Sequence, residues 1–345
     1  MQKKCYLHLG FHKTATSSLQ ATAKNNKQFF SEAGFEYPLF DNTHGGGRIK
    51  TEIANHGNPL FLLFTPRPSV YHMVKRDKIK DVYKLRESLN SQFDSCLNTE
   101  KNLFLSGEDL SNLDLPALKR FSRKIRSHNF EIKPFVVVRS PYEFFCSAAQ
   151  QTIKNGRAFS YLYFPSNESA FSHIDFECKR AFMRTHSIEK LNLAFGSEIQ
   201  YVPFAETLEH KSGPVGFILS NLLGLSDSFI DSLEFSQTNE SLSNLHVRIQ
   251  NKLNQANSRF LRDGSLNENF IRAPRFCNNN SKFLLTESEY INIADSLEEE
   301  NSKLSKLLGQ KFCDKKIKFA DLPSSYDLME YLLKCLPHIN QNKIF

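Results

Sequence analysis

An α/β fold with a central parallel sheet, helices on both of its faces and a helical C-terminal portion is the class this sequence predicts, on three observations. Short apolar runs alternate with segments of helical periodicity, which is the pattern of βαβ units. One run, Ile132-Lys133-Pro134-Phe135-Val136-Val137-Val138, ends in a continuous apolar stretch, as expected of a strand covered on both faces in a parallel sheet. The first run, Lys4-Cys5-Tyr6-Leu7-His8-Leu9, breaks at Gly10 into a hydroxyl-rich loop that leads into a helix.

Strands are expected at 4–9, 102–106, 132–138 and 199–204. Helical patterns fall between them, at 17–30, 78–97, 115–127, 141–155 and 175–195. Beyond 205 the chain reads as mostly helical, at 215–223, 243–257 and 287–308, the last strongly charged on one face. Two stretches read as irregular: 44–68, with Gly45-Gly46-Gly47 and several prolines, and 259–282, with Asn278-Asn279-Asn280. Long unpatterned loops are either binding loops and lids or surface insertions. The expected organisation is one domain over 1–320 followed by a C-terminal extension over 321–345.

The 345 residues, 40% of them hydrophobic, suffice for a sizeable core. A net charge of +7 arises from intermixed acids and bases without a basic tail, so anion chemistry fits and nucleic-acid binding is not expected. Seven cysteines lie far apart without a C-x-x-C pair, which argues against a disulfide framework or a zinc site and for a reducing compartment. The N-terminal apolar run is interrupted at once by His8, Gly10 and Lys13, so neither signal peptide nor anchor is expected. No other stretch approaches the roughly 20 apolar residues of a membrane span. The expected location is the cytoplasm.

Chemistry concentrates at three strand ends. After the first strand, Gly10-Phe11-His12-Lys13-Thr14-Ala15-Thr16-Ser17-Ser18 offers what a phosphate or sulfate needs: backbone N–H groups at an open helix start, the positive end of the helix dipole and one lysine. The nucleotide P-loop pattern G-x-x-x-x-G-K-[ST] is not matched, because Lys13 comes only three residues after Gly10. After the third run, Arg139-Ser140-Pro141-Tyr142-Glu143 places an arginine at the sheet edge. It is followed by a capping box with Ser140 as N-cap, Pro141 as first helical residue and Glu143 as third. Ser147 lies two helical turns on, toward the same side. Between these two, Leu103-Phe104-Leu105-Ser106-Gly107-Glu108-Asp109 ends a strand in two carboxylates. They could serve as a general base, as caps of the following helix or as a metal site of the Walker-B kind. His12 is a second candidate base. Arg67, Lys75, Arg76, Lys78, Lys80, Lys84 and Arg86 form a basic stretch that reads as a solvated helix face, with an anionic saccharide as the other use of such charge.

Lys13-Thr14-x-Thr16-Ser17 after a strand resembles the 5′-phosphosulfate loop of sulfotransferases that use 3′-phosphoadenosine 5′-phosphosulfate (PAPS). Their usual form is Lys-[Ser/Thr]-Gly-Thr-[Thr/Ser], so Ala15 stands where glycine is usual. Arg139 with Ser147 resembles the 3′-phosphate site of the same family, and the wording Arg-x-Pro-[Tyr/Phe]-[Asp/Glu] is typical of its carbohydrate-acting bacterial branch. The resemblance spans about residues 4–310. It implies a P-loop-like three-layer fold and transfer of a sulfuryl group from PAPS to a hydroxyl, less often an amine, of a carbohydrate or polysaccharide, without a metal. It also implies that Lys13 stabilises the leaving group, that Thr14, Ala15, Thr16, Ser17 and Ser18 hold the 5′-phosphate, and that Arg139 and Ser147 hold the 3′-phosphate. Glu108 would accept the proton. The competing readings are a P-loop kinase using ATP and Mg²⁺ and a non-catalytic binder of nucleotides or anionic glycans.

Overall fold

The computed structural model describes residues 2–159, 162, 184–238, 241–259, 266–274 and 282–339. Its longer elements are, in chain order, β1 Lys3–Leu9, α1 Thr16–Asn25, α2 Lys27–Glu32, β2 Phe35–Glu36, α3 Gly57–Phe64, α4 Val82–Leu97, β3 Asn102–Gly107, α5 Leu115–Ser127, β4 Phe130–Val138, α6 Pro141–Lys154, α7 Thr185–Phe195, β5 Gln200–Pro203, α8 Asn244–Ala256, α9 Glu287–Ile291, α10 Ala294–Leu308 and α11 Ser325–Ile339. The fold is α/β, and the five strands form one sheet in the order β2-β3-β1-β4-β5, every pair parallel. Among the described residues no helix is long and apolar enough to cross a membrane.

One domain over 1–320 is expected from the sequence, whereas by its contacts the chain divides into two compact units. The first unit comprises Met1–Arg139 with Thr185–Asn239, and the second Ser140–Arg184 with Glu240–Phe345.

In the first unit the sheet is buried on both faces. Phe104, Phe135 and Val137 pack with Leu19, Ala23 and Phe30 of the first two helices. Their strand neighbours Leu103, Leu105 and Val136, which alternate to the opposite face, are fully buried as well. Phe64, Phe93 and Phe121, from α3, α4 and α5, pack ring against ring. The helix expected over 17–30 breaks at Asn26, whose side-chain amide donates to Thr22 O and Glu234 O and whose carbonyl accepts the Glu234 N–H. Two elements depart from the sequence reading. The two-residue β2 is too short to carry a pattern. The stretch 44–68, read as irregular, contains α3: Pro59 sits in its first turn, where proline is tolerated, and Leu60–Phe64 is apolar all round because the helix is buried.

Two buried imidazoles belong to this unit. His56 accepts the Ser106 N–H on Nδ1 at 2.9 Å and therefore donates from Nε2 to Pro38 O at 2.7 Å. Burial pushes His56 down to about 4, against the opposing pull of the Pro38 carbonyl, and pushes His8 down to about 3. Both stay neutral where the unfolded chain, at the ordinary 6.5, takes up protons, so their contribution is complete above that value. It is lost as the pH falls toward about 4. The urea midpoint is accordingly expected to drop on acidification from pH ~7 to ~4. A flat midpoint over that range would mean that neither imidazole is held neutral.

The second unit is organised around α8, which buries Asn244, His246, Arg248, Gln250, Asn251 and Asn254. Its amides satisfy the backbone of neighbouring loops: Asn251 brackets the N–H and C=O of Phe159, and Asn254 donates to Ile153 O and Arg157 O. The helix expected over 287–308 is two, α9 and α10, and the C-terminal extension contains α11. Of the helix expected over 175–195, the part before Arg184 lies outside the described residues, as do 260–265 and 275–281 of the loop 259–282.

Candidate active site

The C-terminal ends of β1, β3 and β4 meet at one edge of the first unit's sheet. Leu9 of β1 is level with Gly107 of β3, and the Gly10 N–H extends the ladder by one bond to Gly107 O at 3.1 Å. β1 leads away toward β2 and its neighbour β4 toward β5. Their ends are thus a switch point of the kind where open α/β sheets bind ligands.

The loop after β1 closes on itself. Thr14 Oγ1 donates to Phe11 O at 2.7 Å, and the Thr16 hydroxyl lies 3.5 Å from the same carbonyl and 3.4 Å from that of Thr14. Both threonines are buried, so what they present outward is backbone rather than hydroxyl. A side chain at Gly10 would press on the Thr16 side chain at 3.0 Å, so the loop is tightly packed there. Lys13 and Ala15 both have left-handed φ, 69° and 62°. Ala15 thus keeps the conformation for which glycine is suited, with the strain of a Cβ. Alternating hands of this kind turn successive N–H groups toward one concavity. α1 begins at Thr16 with no side-chain cap and no acid in its first turn, so the positive end of its dipole has no carboxylate of its own. Lys13 and Ser17 are partly exposed, and Ser18 accepts the Thr238 N–H at 3.1 Å. Ala15→Gly is expected to raise stability by about 1 kcal/mol in urea unfolding, through relief of the left-handed strain. No change or a loss would show that Ala15 is unstrained.

At the end of β3, Gly107 is crossed closely by Gly57: a Cβ on Gly107 would come within 2.4 Å of the Gly57 nitrogen. That approach sets the start of α3 against Glu108 and Asp109. Glu108 Oε2 lies 3.0 Å from His12 Nδ1, and His12 Nε2 lies 3.9 Å from Asp109 Oδ1. The phenol of Tyr71 donates to Asp109 Oδ2, and Asn58 Oδ1 lies 3.0 Å from the same phenol oxygen. Burial, reinforced by the Asp109 charge, pushes the Tyr71 phenol far above its ordinary value, so it is a donor at every physiological pH. One imidazole therefore stands between two carboxylates, one of them anchored by a tyrosine. Beneath them Gln20 donates to Ser106 O at 3.1 Å, and His8 Nδ1 lies 2.9 Å from Ser106 Oγ.

Arg139 follows β4 directly, and its guanidinium lies 4.0 Å from the ring centroid of Phe204, the residue after β5. A guanidinium stacked on an aromatic ring is a group chemically suited to planar recognition of an anion. Ser147 is placed in α6, in the second unit, and is largely buried. Ser140 and Pro141 occupy the expected N-cap and first helical positions, but the capping box does not form. The Ser140 side chain makes no cap bond, and the Tyr142 N–H donates instead to Asp314 Oδ2 at 2.9 Å.

The first unit thus brings together Lys13, His12, Glu108, Asp109 and Arg139 at one sheet edge. Tyr71 and Asn58 were not singled out in the sequence. The available signal was Gly57-Asn58-Pro59 ahead of an apolar run, a helix start carrying proline in its first turn. Among the described residues no group of three His, Cys, Asp or Glu side chains is placed to hold a metal ion. No protein-family model matches this chain, and no curated protein matches it either.

Proposed function

We propose that this chain is a sulfotransferase of P-loop-like fold that moves a sulfuryl group from PAPS to a hydroxyl of a carbohydrate. The observation that carries this reading is the convergence of three strand ends on one edge. They deliver an uncapped left-handed lysine loop, a carboxylate in contact with an imidazole, and a stacked arginine. The cradle suits a doubly anionic donor, because it offers backbone N–H groups, a helix dipole and Lys13 with no competing acid in the first turn of α1.

In this reading Lys13 contacts the oxygen that bridges phosphate and sulfur and stabilises the charge left there as the bond to sulfur breaks. The backbone of residues 13–17 holds the 5′-phosphate, a role for which the inward-turned hydroxyls of Thr14 and Thr16 are not needed. Arg139 holds the 3′-phosphate, the group that separates this donor from ATP. The His12 Nδ1–H donates to Glu108 Oε2, which orients the carboxylate and leaves Oε1 to accept the proton of the attacking hydroxyl. Sulfuryl transfer, like phosphoryl transfer, is then mainly a matter of positioning and charge stabilisation. The experiment is transfer of labelled sulfate from PAPS to a panel of saccharides by the full chain. Label on a saccharide is the expected result, and its absence across neutral and acidic saccharides alike would overturn the reading.

A further inference from the structure

The basic stretch before β3 is not one helix face. Lys75 and Arg76 end a five-residue helix, His72–Arg76. Lys78 and Lys80 occupy the turn after it, with Lys78 in left-handed φ of 52°, and Arg86 on α4 donates to Leu63 O at 2.9 Å. A second segment lies alongside the turn: the Arg48 N–H donates to Asp77 O at 2.8 Å, and the N–H groups of Lys80 and Asp81 both donate to Gly45 O, at 2.9 and 3.0 Å. Arg48, Lys75, Lys78 and Lys80 are all exposed on these two adjoining segments.

The acids within this region do not neutralise those four. Asp77 is buried and takes Lys50 at 2.8 Å and Arg76 at 3.0 Å. Asp81 caps α4 through the Lys84 N–H, and Asp41 accepts from the N–H and hydroxyl of Thr43. Among the described residues no carboxylate lies within ion-pair distance of Arg48, Lys75, Lys78 or Lys80. A backbone-paired turn thus concentrates positive charge: the one buried aspartate is taken by Lys50 and Arg76, and the rim is left unneutralised. The turn is tied to the candidate site, since the helix His72–Arg76 starts one residue after Tyr71, whose phenol binds Asp109. That helix is only about 7.5 Å long.

We infer that the turn built from 45–48 and 75–80 is an acceptor subsite that binds the acidic groups of an anionic saccharide whose hydroxyl is presented at Glu108. Its choice of a saccharide among polyanions rests on the sulfotransferase reading above. Such a subsite adds the attraction of several exposed charges, each weak alone and screened by salt, to the placement of one hydroxyl.

The test is calorimetry on the full chain with a heparin-derived octasaccharide as probe, for the unaltered protein and for R48A/K75A/K78A/K80A. The four side chains are exposed, so the fold is expected to survive; R48A/K80A serves as a milder variant, and the urea midpoint checks both. The octasaccharide is expected to bind the unaltered chain in a salt-dependent way and to lose affinity roughly tenfold in the quadruple variant, with a smaller loss in the double one. A neutral maltooligosaccharide should not compete. Equal affinity in unaltered and variant proteins overturns the subsite, as does equal displacement of the probe by a single-stranded oligonucleotide of matched charge. Adenosine 3′,5′-bisphosphate affinity, measured on the same samples, should not move. If the unaltered chain does not bind the bisphosphate, the sulfotransferase reading fails while the saccharide result stands by itself.

Discussion

Replacing Lys13 by alanine is expected to slow sulfate transfer by on the order of a hundredfold or more, which is the scale of losing one charge contact made in the transition state. Lys13 already holds a left-handed φ with a Cβ in place, and alanine has the same backbone requirements. The substitution therefore removes the ammonium without reshaping the loop, and the loss should fall on turnover more than on KM for PAPS. Lys13→Arg keeps a charge but spreads it over a planar group, so it should recover only part of the rate. A drop of less than about tenfold in Lys13→Ala would remove the lysine from the chemistry.

The second large effect concerns stability, in the second unit. Arg248 and Glu289 are both fully buried and form a two-pronged ion pair, Nη1 to Oε1 at 2.5 Å and Nη2 to Oε2 at 2.9 Å. Each has further duties: Arg248 Nε donates to Asn244 Oδ1, and Glu289 accepts the Thr286 N–H in the capping box that starts α9. Glu289→Gln keeps an acceptor for the cap but leaves the guanidinium uncompensated in a fully buried site. It is expected to cost about 3–5 kcal/mol in urea unfolding. Arg248→Met combined with Glu289→Met should recover most of that, since no lone charge remains. A double variant less stable than the single one would mean that the pair itself, rather than the avoided burial of a lone charge, carries the stability.

How far the sequence discloses this molecule depends on whether a contact is local. β1, β3, β4 and β5 lie within about two residues of their expected places because apolar runs such as Val136–Val138 are bounded by turn residues and buried on both faces. α3 was hidden because full burial erases the periodicity that marks a helix, and β2 because two residues carry none. The strand-to-helix turn at Lys13 was legible as a chain-local feature, and Ala15, where glycine is usual, holds a left-handed φ of 62°. The Asp314 cap on α6 was not legible, since it comes from 172 residues away and displaces a local pair that fits every capping rule. Tyr71 on Asp109 was equally hidden, because it follows from the close crossing of Gly57 and Gly107.

Donor binding, proposed for Arg139 and the loop at Lys13, requires no acceptor. Isothermal titration calorimetry of the full chain with adenosine 3′,5′-bisphosphate, set beside ATP with Mg²⁺, tests it most directly. The bisphosphate is expected to bind, Arg139→Ala to weaken this binding by about 1.5–3 kcal/mol, and ATP to bind far more weakly. Tight binding of ATP with Mg²⁺ and none of the bisphosphate would contradict it.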